Sequence, residues 1–330
     1  MTRLRIALVI AAALGLIGLA VGASADPRGA LHGWLLGFVF ISLAPPGALV
    51  LMMIARLTSA PWGEDFGPQL RSMAAAAPWL FVLGLPVAIL LAWTYPWATP
   101  GGAPAQLRLY LSPGPFLARA VVAIAGWSAL AFLVRRGRFG QGVAALGLVF
   151  QAIVLCIIPN DWVLSLRPGW TTTDVGMLFL TLEVAFPAAA ILLFGPPRPT
   201  RSSDDIAGFL IAGVLGLIYM TFVAWLVDWY GDLPDRAGWW LAHLVAGRWT
   251  MITAAFAVGA LVFASLGFGR RYRLAGGLAL AAIAIFSIWL LSPNLGALPW
   301  LVAPAGLVFH AAALGLVVTT ALGRGLAAHV

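Results

Sequence analysis

Few residues of this chain can do acid–base or ligand chemistry, and several of those stand inside long apolar runs. Glu183 lies about ten residues into the run 173–194, roughly 15 Å along a helix. A centrally placed charge costs about 2.5–3.5 kcal/mol on insertion scales, so it needs a partner or a purpose. Two uses fit Glu183: a Glu–Arg pair that locks two helices together, or a protonatable relay. His310 is equally deep in the run 298–320. An interhelical hydrogen bond is its simpler use, and a place beside Glu183 in a proton path is the functional one. Arg119 and Arg248 stand one to two turns inside the runs 115–134 and 240–267. Each can snorkel or satisfy a helix end. Alternatively, they line a pocket for a polar headgroup such as a quinone carbonyl, with Asp161 and His243 completing the cluster. His243 and His32 share that depth, but haem needs two axial ligands facing each other at one level. That pair meets the condition only at the rim, so a b-type haem is not expected. Cys156 is the sole cysteine, which excludes an internal disulfide, a cysteine-held iron–sulfur cluster and a structural zinc site.

The elements that must position these groups follow from composition. Of 330 residues, 62% are hydrophobic and 9% charged, against about 45–50% and about 25% in a soluble domain. A water-soluble globule and a disordered chain are both excluded. Crossing about 30 Å of hydrocarbon takes about 20 helical residues. Ten stretches qualify: 4–22, 31–55, 73–95, 115–134, 141–160, 173–194, 206–228, 240–267, 274–292 and 298–320. Backbone groups in lipid must be satisfied internally, and no ten-residue alternation suggests a barrel. The expected fold is therefore all-α: a polytopic membrane protein forming one integral membrane domain over 1–330.

The net charge of +8 comes from nineteen arginines and no lysine, scattered singly or in short groups. That spacing fits loops between spans and gives no phosphate-tracking groove for nucleic acid. With the N-terminus inside, thirteen arginines fall on the inner side (Arg3, Arg5, Arg56, Arg71, Arg135, Arg136, Arg138, Arg198, Arg201, Arg270, Arg271, Arg273, Arg324) and four on the outer (Arg28, Arg108, Arg167, Arg236). Both termini are then cytoplasmic. The first segment reads either as a retained helix, the favoured reading, or as a signal peptide ending at Ala23-Ser24-Ala25. Tryptophans 34, 93, 97, 162, 170, 225, 229, 239, 240, 289 and 300 gather near the outer interface. An aromatic belt accounts for that, and its lopsidedness suggests that the outer surface also packs against something.

Spans two to five and six to nine can form two parallel four-helix bundles, each with an arginine near the entry of its third helix. A proline-bearing outer loop precedes that helix in both, Leu111-Ser112-Pro113 and Asp232-Leu233-Pro234.

Within the outer loop after span five, DWVLSLRPGWTTTDVG (161–176) resembles the DW-x-x-SL-acid-PHW-x-ST segment of the second large membrane subunit of alternative complex III. That subunit belongs to the polysulfide-reductase-type integral membrane family. Thr58-Ser59-Ala60-Pro61-Trp62 with Leu70-Arg71 is similar to the family's TGAGW and its sequel. Tyr110-Leu111-Ser112 through Phe116-Leu117-Ala118-Arg119-Ala120 resembles YLN-x-PFFLIRA, and Trp229-Tyr230-Gly231-Asp232-Leu233-Pro234 resembles WY-x-NLP. The resemblance implies two four-helix bundles plus two peripheral helices, in a bacterial inner membrane. It implies a paralogous large membrane subunit as partner, outer-face subunits carrying iron–sulfur clusters and c-type haems, and in some cases a terminal oxidase. The electron carriers then sit on partners, none on this chain, and a quinone or quinol is the one ligand to consider here. The family's acid-Pro-His is Arg167-Pro168-Gly169 in this sequence, and glycine cannot carry a proton where histidine can.

Three functions follow. The first is a membrane subunit of a quinol:cytochrome c or quinol:oxidase oxidoreductase, handling quinol or translocating protons. The second is a structural anchor for respiratory subunits without chemistry of its own. The third is a small-solute transporter, against which no span pair shows a Gly/Pro-broken site with convergent polar groups beyond the Pro45-Pro46 kink. No phosphate loop, HExxH or nucleophile elbow competes.

Overall fold

The computed structural model describes residues 2–167, 174–195, 201–232, 234–244, 248–269 and 271–327. Pro168, Gly169, Trp170, Arg198, Leu233 and Arg270 of the readings above lie outside the described residues. Ten helical segments are long and apolar enough to cross a membrane: spans 1 to 10 are Arg3–Ala25, Pro27–Thr58, Gly67–Ile89, Pro113–Arg135, Gln141–Leu166, Val175–Phe194, Arg201–Tyr230, Trp249–Gly267, Tyr272–Asn294 and Pro299–Gly323. The expected all-α membrane architecture is what the chain adopts.

Two spans differ in register from the sequence expectation. Span 3 begins at Gly67, earlier than expected, because Leu70, Met73 and Ala74 bury against the rest of the protein despite polar neighbours. It stops at Ile89, where Leu90 leaves helical geometry. The run 240–267 is not one helix. It is divided between a short helix, Pro234–Leu244, and span 8, with Arg248 at the N-cap of the latter. Arg248 therefore stands before the span rather than one to two turns inside it. The short helix stays outside because Trp239 and Trp240 seat against Trp289 of span 9, at ring separations of 5.6 and 6.2 Å.

The two expected bundles are present and share one plan. In the first, span 2 packs on spans 3 and 5, and span 4 on span 5. In the second, span 6 packs on spans 7 and 9, and span 8 on span 9. Spans 2 and 6 join the bundles, and spans 1 and 10 pack together against span 2. Where spans 2 and 10 meet, a Cβ on Gly306 would collide with the Gly33 carbonyl, and one on Gly37 with the Gly306 carbonyl. Without water to drive association, close backbone approach of this kind holds membrane helices together.

Loops alternate between two faces. On one, Trp62 packs on Phe209 at 5.1 Å, Asp65 accepts from Ser202, and Asp204 accepts from Tyr272. The other, tryptophan-rich face carries the loops after spans 1, 3, 5, 7 and 9. Here Asp26 accepts hydrogen bonds from the N–H groups of Gly29 (2.9 Å) and Ala297 (3.0 Å), capping span 2 and tying it to the turn before span 10. Those donors, Gly29 foremost, hold its carboxyl below the usual range. The belt reading needs correcting in part. Trp97, Trp162, Trp239, Trp240 and Trp289 are buried in the protein, while Trp93, Trp229, Trp249 and Trp300 are exposed. An indole buries a large apolar body while its N–H finds an acceptor, so it serves the interior as well as an interface.

Candidate functional site

The four residues expected to form one polar cluster resolve into two sites. In the first bundle, Asp161 is fully buried near the end of span 5, and Arg119 enters from span 4. Arg119 Nε lies 2.6 Å from Asp161 Oδ2 and Nη2 3.0 Å from Oδ1, a two-pronged charge-assisted pair. Nη2 also donates to the Tyr110 carbonyl at 3.1 Å, and the guanidinium lies 3.9 Å from the centre of the Tyr110 ring. Burial, with the Asp161 carboxylate beside it, pushes the Tyr110 hydroxyl up to about 12, so the phenol stays neutral at physiological pH.

The segment around Asp161 is pinned by its own motif residues. Tyr95 donates to the Trp162 carbonyl at 3.0 Å, and Trp97 Nε1 donates to Ser165 Oγ at 3.0 Å. Ser165 in turn donates to the Asp161 carbonyl. Thus Asp161, Trp162 and Ser165, spaced by one and three residues, each meet a group from the 95–119 region. Tyr95 escaped the sequence reading, and Trp97 entered it only as a member of the aromatic belt. A Tyr-x-Trp pair beside Pro96 at a span end was the available signal.

The second site belongs to the second bundle. His243 is buried, stacked on Trp239 at 3.8 Å, with Trp289 at 5.1 Å. Its Nδ1 faces the Trp239 carbonyl at 2.7 Å and its Nε2 the Leu290 carbonyl at 3.0 Å. A neutral ring can donate to only one of them. Arg248 Nη1 donates to the Ala242 carbonyl at 2.6 Å, satisfying the end of the short helix, one of the two bland uses considered for it. The Arg167 guanidinium is lowered by burial and by its like-charged neighbour Arg248. Span 9 carries no carboxylate, and the Arg–Asp pair of the second bundle instead joins Arg236 of the short helix to Asp228 of span 7 at 3.6 Å.

Burial holds the His243 imidazole down at about 4, and the nearby arginines act in the same direction. The unfolded chain takes up a proton near 6.5, which the folded chain resists until about 4. Stability from this group is therefore complete above 6.5 and is lost as pH falls toward 4. Acidification across that window should cost up to about 3 kcal/mol. The check is the melting temperature of purified protein against pH. His243→Gln should melt lower at neutral pH and show a flatter profile between pH 6.5 and 4. An equally steep profile in the variant would refute the assignment.

Glu183 is buried midway along span 6, and the expected Glu–Arg pair is not what it makes. Its partner is an amide. Gln151 Nε2 of span 5 donates to Glu183 Oε2 at 2.7 Å, and Trp127 Nε1 of span 4 donates to Gln151 Oε1 at 2.7 Å. An amide suffices to satisfy a carboxyl group without adding a second charge to desolvate. Gln151 was legible as the one amide in the middle of an apolar span whose other amides, Gln141 and Asn160, stand toward its ends, and it was missed. A small cavity lies against Glu183, lined by Ser42, Trp127, Leu155, Pro159, Trp162 and Phe179, with room for about one water.

Around that cavity, prolines interrupt three helices. Pro46, Pro159 and Pro187 remove the N–H groups that would bond to the carbonyls of Ser42, Leu155 and Glu183. The Glu183 carbonyl faces Gly47 of span 2, so closely that a Cβ there would collide with it. The sequence shows no span pair with a Gly/Pro-broken site and convergent polar groups, Pro45-Pro46 coming nearest, and the packed helices add Pro159 and Pro187 to that kink. Isolated prolines inside apolar runs read as single kinks, and only packing brings them to one place.

His310 does not make the expected interhelical hydrogen bond. Its Nδ1 donates to Gly306, four residues back in its own helix, at 2.9 Å, and Trp34 meets the ring edge-on at 4.8 Å. Its Nε2 is buried with no partner among the described residues. His310 contacts span 2 at Gly37 and Glu183 contacts it at Gly47, about 15 Å apart along that helix. The two proposed members of a proton path are therefore not neighbours. His32, near the tryptophan-rich face, spends Nε2 on the Thr94 carbonyl at 2.9 Å. Each of these three histidines thus places a ring nitrogen on a backbone carbonyl.

No protein-family model matches the chain, and no curated protein is significantly similar to it. The geometry alone shows a multi-pass helical membrane protein.

Proposed function

We propose that the chain is an integral membrane subunit of a quinol:cytochrome c or quinol:oxidase oxidoreductase resembling alternative complex III, in a bacterial inner membrane with both termini cytoplasmic. One observation carries the reading. Two separate segments of the resemblance, the Tyr110–Ala120 and Asp161–Leu166 stretches, interlock through the Arg119–Asp161 pair and the Tyr110 contacts. The shared plan of the two bundles adds support.

In this reading the tryptophan-rich face is the outer one. Partner subunits dock there, carrying iron–sulfur clusters and c-type haems, and a paralogous membrane subunit lies alongside. Quinol oxidation releases protons at that face while electrons pass to the partners. Arg248 and His243 offer polar groups toward a quinone headgroup, and Glu183 and His310 are the buried groups able to hold a proton. A second reading, a structural anchor, is favoured by one fact: Arg119 and Asp161 already satisfy each other, leaving neither free to act on a ligand.

The test is gentle solubilisation of native membranes and tagged purification of the chain, with haem and iron–sulfur spectra of what accompanies it. Co-purifying c-type haem and iron–sulfur signals are expected. Isolation without redox partners would defeat both readings. A redox complex that keeps its quinol oxidation rate in His243→Gln and Arg248→Gln would favour the anchor.

A further inference from the structure

We infer that Glu183 and the proline-interrupted helices around it form a binding site for a dehydrated, sodium-sized monovalent cation. The inference does not depend on the redox reading. It begins with charge. Glu183 is buried, and its one side-chain partner is the neutral amide of Gln151. The ion pairs among the described residues, Arg119–Asp161 and Arg236–Asp228, lie elsewhere. An ionised carboxylate at this depth requires a counter-charge.

The oxygen donors for one are at hand. Ser42, Leu155 and Glu183 all line the cavity; the carbonyls of Ser42 and Leu155 have lost their intrahelical donors to Pro46 and Pro159, and the Leu155 carbonyl packs on Gly176 of span 6, which offers it no side chain. Ser42 Oγ gives its proton to the Val39 carbonyl at 2.7 Å, which leaves its lone pairs available. Glu183 Oε2 is held by Gln151, and Gln151 by Trp127, so the carboxylate is oriented. Carboxylate and carbonyl oxygens are hard donors suited to hard cations. Interrupted membrane helices offer such carbonyls at mid-depth, in protein-lined cavities rather than toward lipid. A space for about one water also fits an ion of that size. No other residue lining the cavity titrates, so a proton and the cation compete for the same carboxylate.

The experiment is equilibrium binding of radioactive sodium to the purified full-length chain in detergent, with choline chloride holding ionic strength constant. Saturable binding is expected, weakened as pH falls. Glu183→Gln keeps a group able to bond to Gln151 and should abolish it. Pro159→Ala restores an N–H to the Leu155 carbonyl without touching the carboxylate, and should raise the sodium Kd severalfold. It also keeps the test open if Glu183→Gln fails to fold. Infrared difference spectra should show the protonated carboxyl band of Glu183 diminishing as sodium is added. Absence of saturable sodium binding, its survival in Glu183→Gln, an unchanged Kd in Pro159→Ala, or a carboxyl band indifferent to sodium would each overturn the site. The last result would mark a proton-only group.

Discussion

Arg119→Gln is expected to cost about 3–5 kcal/mol, because it leaves the fully buried Asp161 carboxylate without its counter-charge. The estimate rests on asymmetry within the pair. Asp161 has a side-chain exposure of 1%, whereas Arg119 retains 19% and lies beside Tyr110. Removing the arginine strands a charge that cannot reach water. Removing the acid instead, as Asp161→Asn, leaves a guanidinium that can still bond to the Tyr110 carbonyl and lean outward. The acid variant should therefore be the milder of the two. The double variant should recover much of the loss, since no unpaired charge remains. Melting of the detergent-purified proteins measures this directly. Equal destabilisation by both single variants, or no recovery in the double, would refute the account. The double variant also separates the two functional readings. If the pair only ties span 4 to span 5, restored stability should restore whatever activity the complex has.

How far the sequence revealed this depended on how local each signal was. Span existence is a local property of about twenty apolar residues, and all ten spans were legible from it. Boundaries were not legible where the deciding contact is distant. Trp240 reads as the first residue of span 8, and only the opposing Trp289 shows why it and Trp239 stay outside. Site residues divide the same way. Asp161, Arg119 and Glu183 stand out because charge is costly in an apolar run. Their partners are set by packing, and that is why the sequence offers Glu183 an arginine or a relay role when a neutral Gln151 serves it. His310 was judged by depth alone, and depth says nothing about which carbonyl its ring nitrogen meets. Proline carried the least usable signal. Pro46, Pro159 and Pro187 lie apart in the chain, and the residues four positions before them, Ser42, Leu155 and Glu183, line one cavity only once spans 2, 5 and 6 are packed.

Gly306→Leu should separate spans 10 and 2 and cost about 3 kcal/mol, the upper end for overpacking, because backbone rather than a side chain stands in the way. A Cβ on Gly306 would meet the Gly33 carbonyl, and a side chain cannot relieve that by changing rotamer. Neighbouring contacts compound the effect. Gly37 packs against the Gly306 carbonyl, which also accepts from His310 Nδ1, so displacement disturbs the buried ring as well. Span 1 has its main contact with span 10 and should loosen together with it. Gly142→Leu is the matched control, since nothing lies within 4 Å of its Cβ position and Gly142 sits in the first turn of span 5. Replacing glycine there also relieves a poor helix former, so that variant should melt near the parent or slightly above it. Gly306→Ala should fall between the parent and Gly306→Leu, because even one carbon is too many at this contact. If Gly306→Leu melts with Gly142→Leu, spans 2 and 10 are not held by backbone approach, and the packing of span 1 must have another cause.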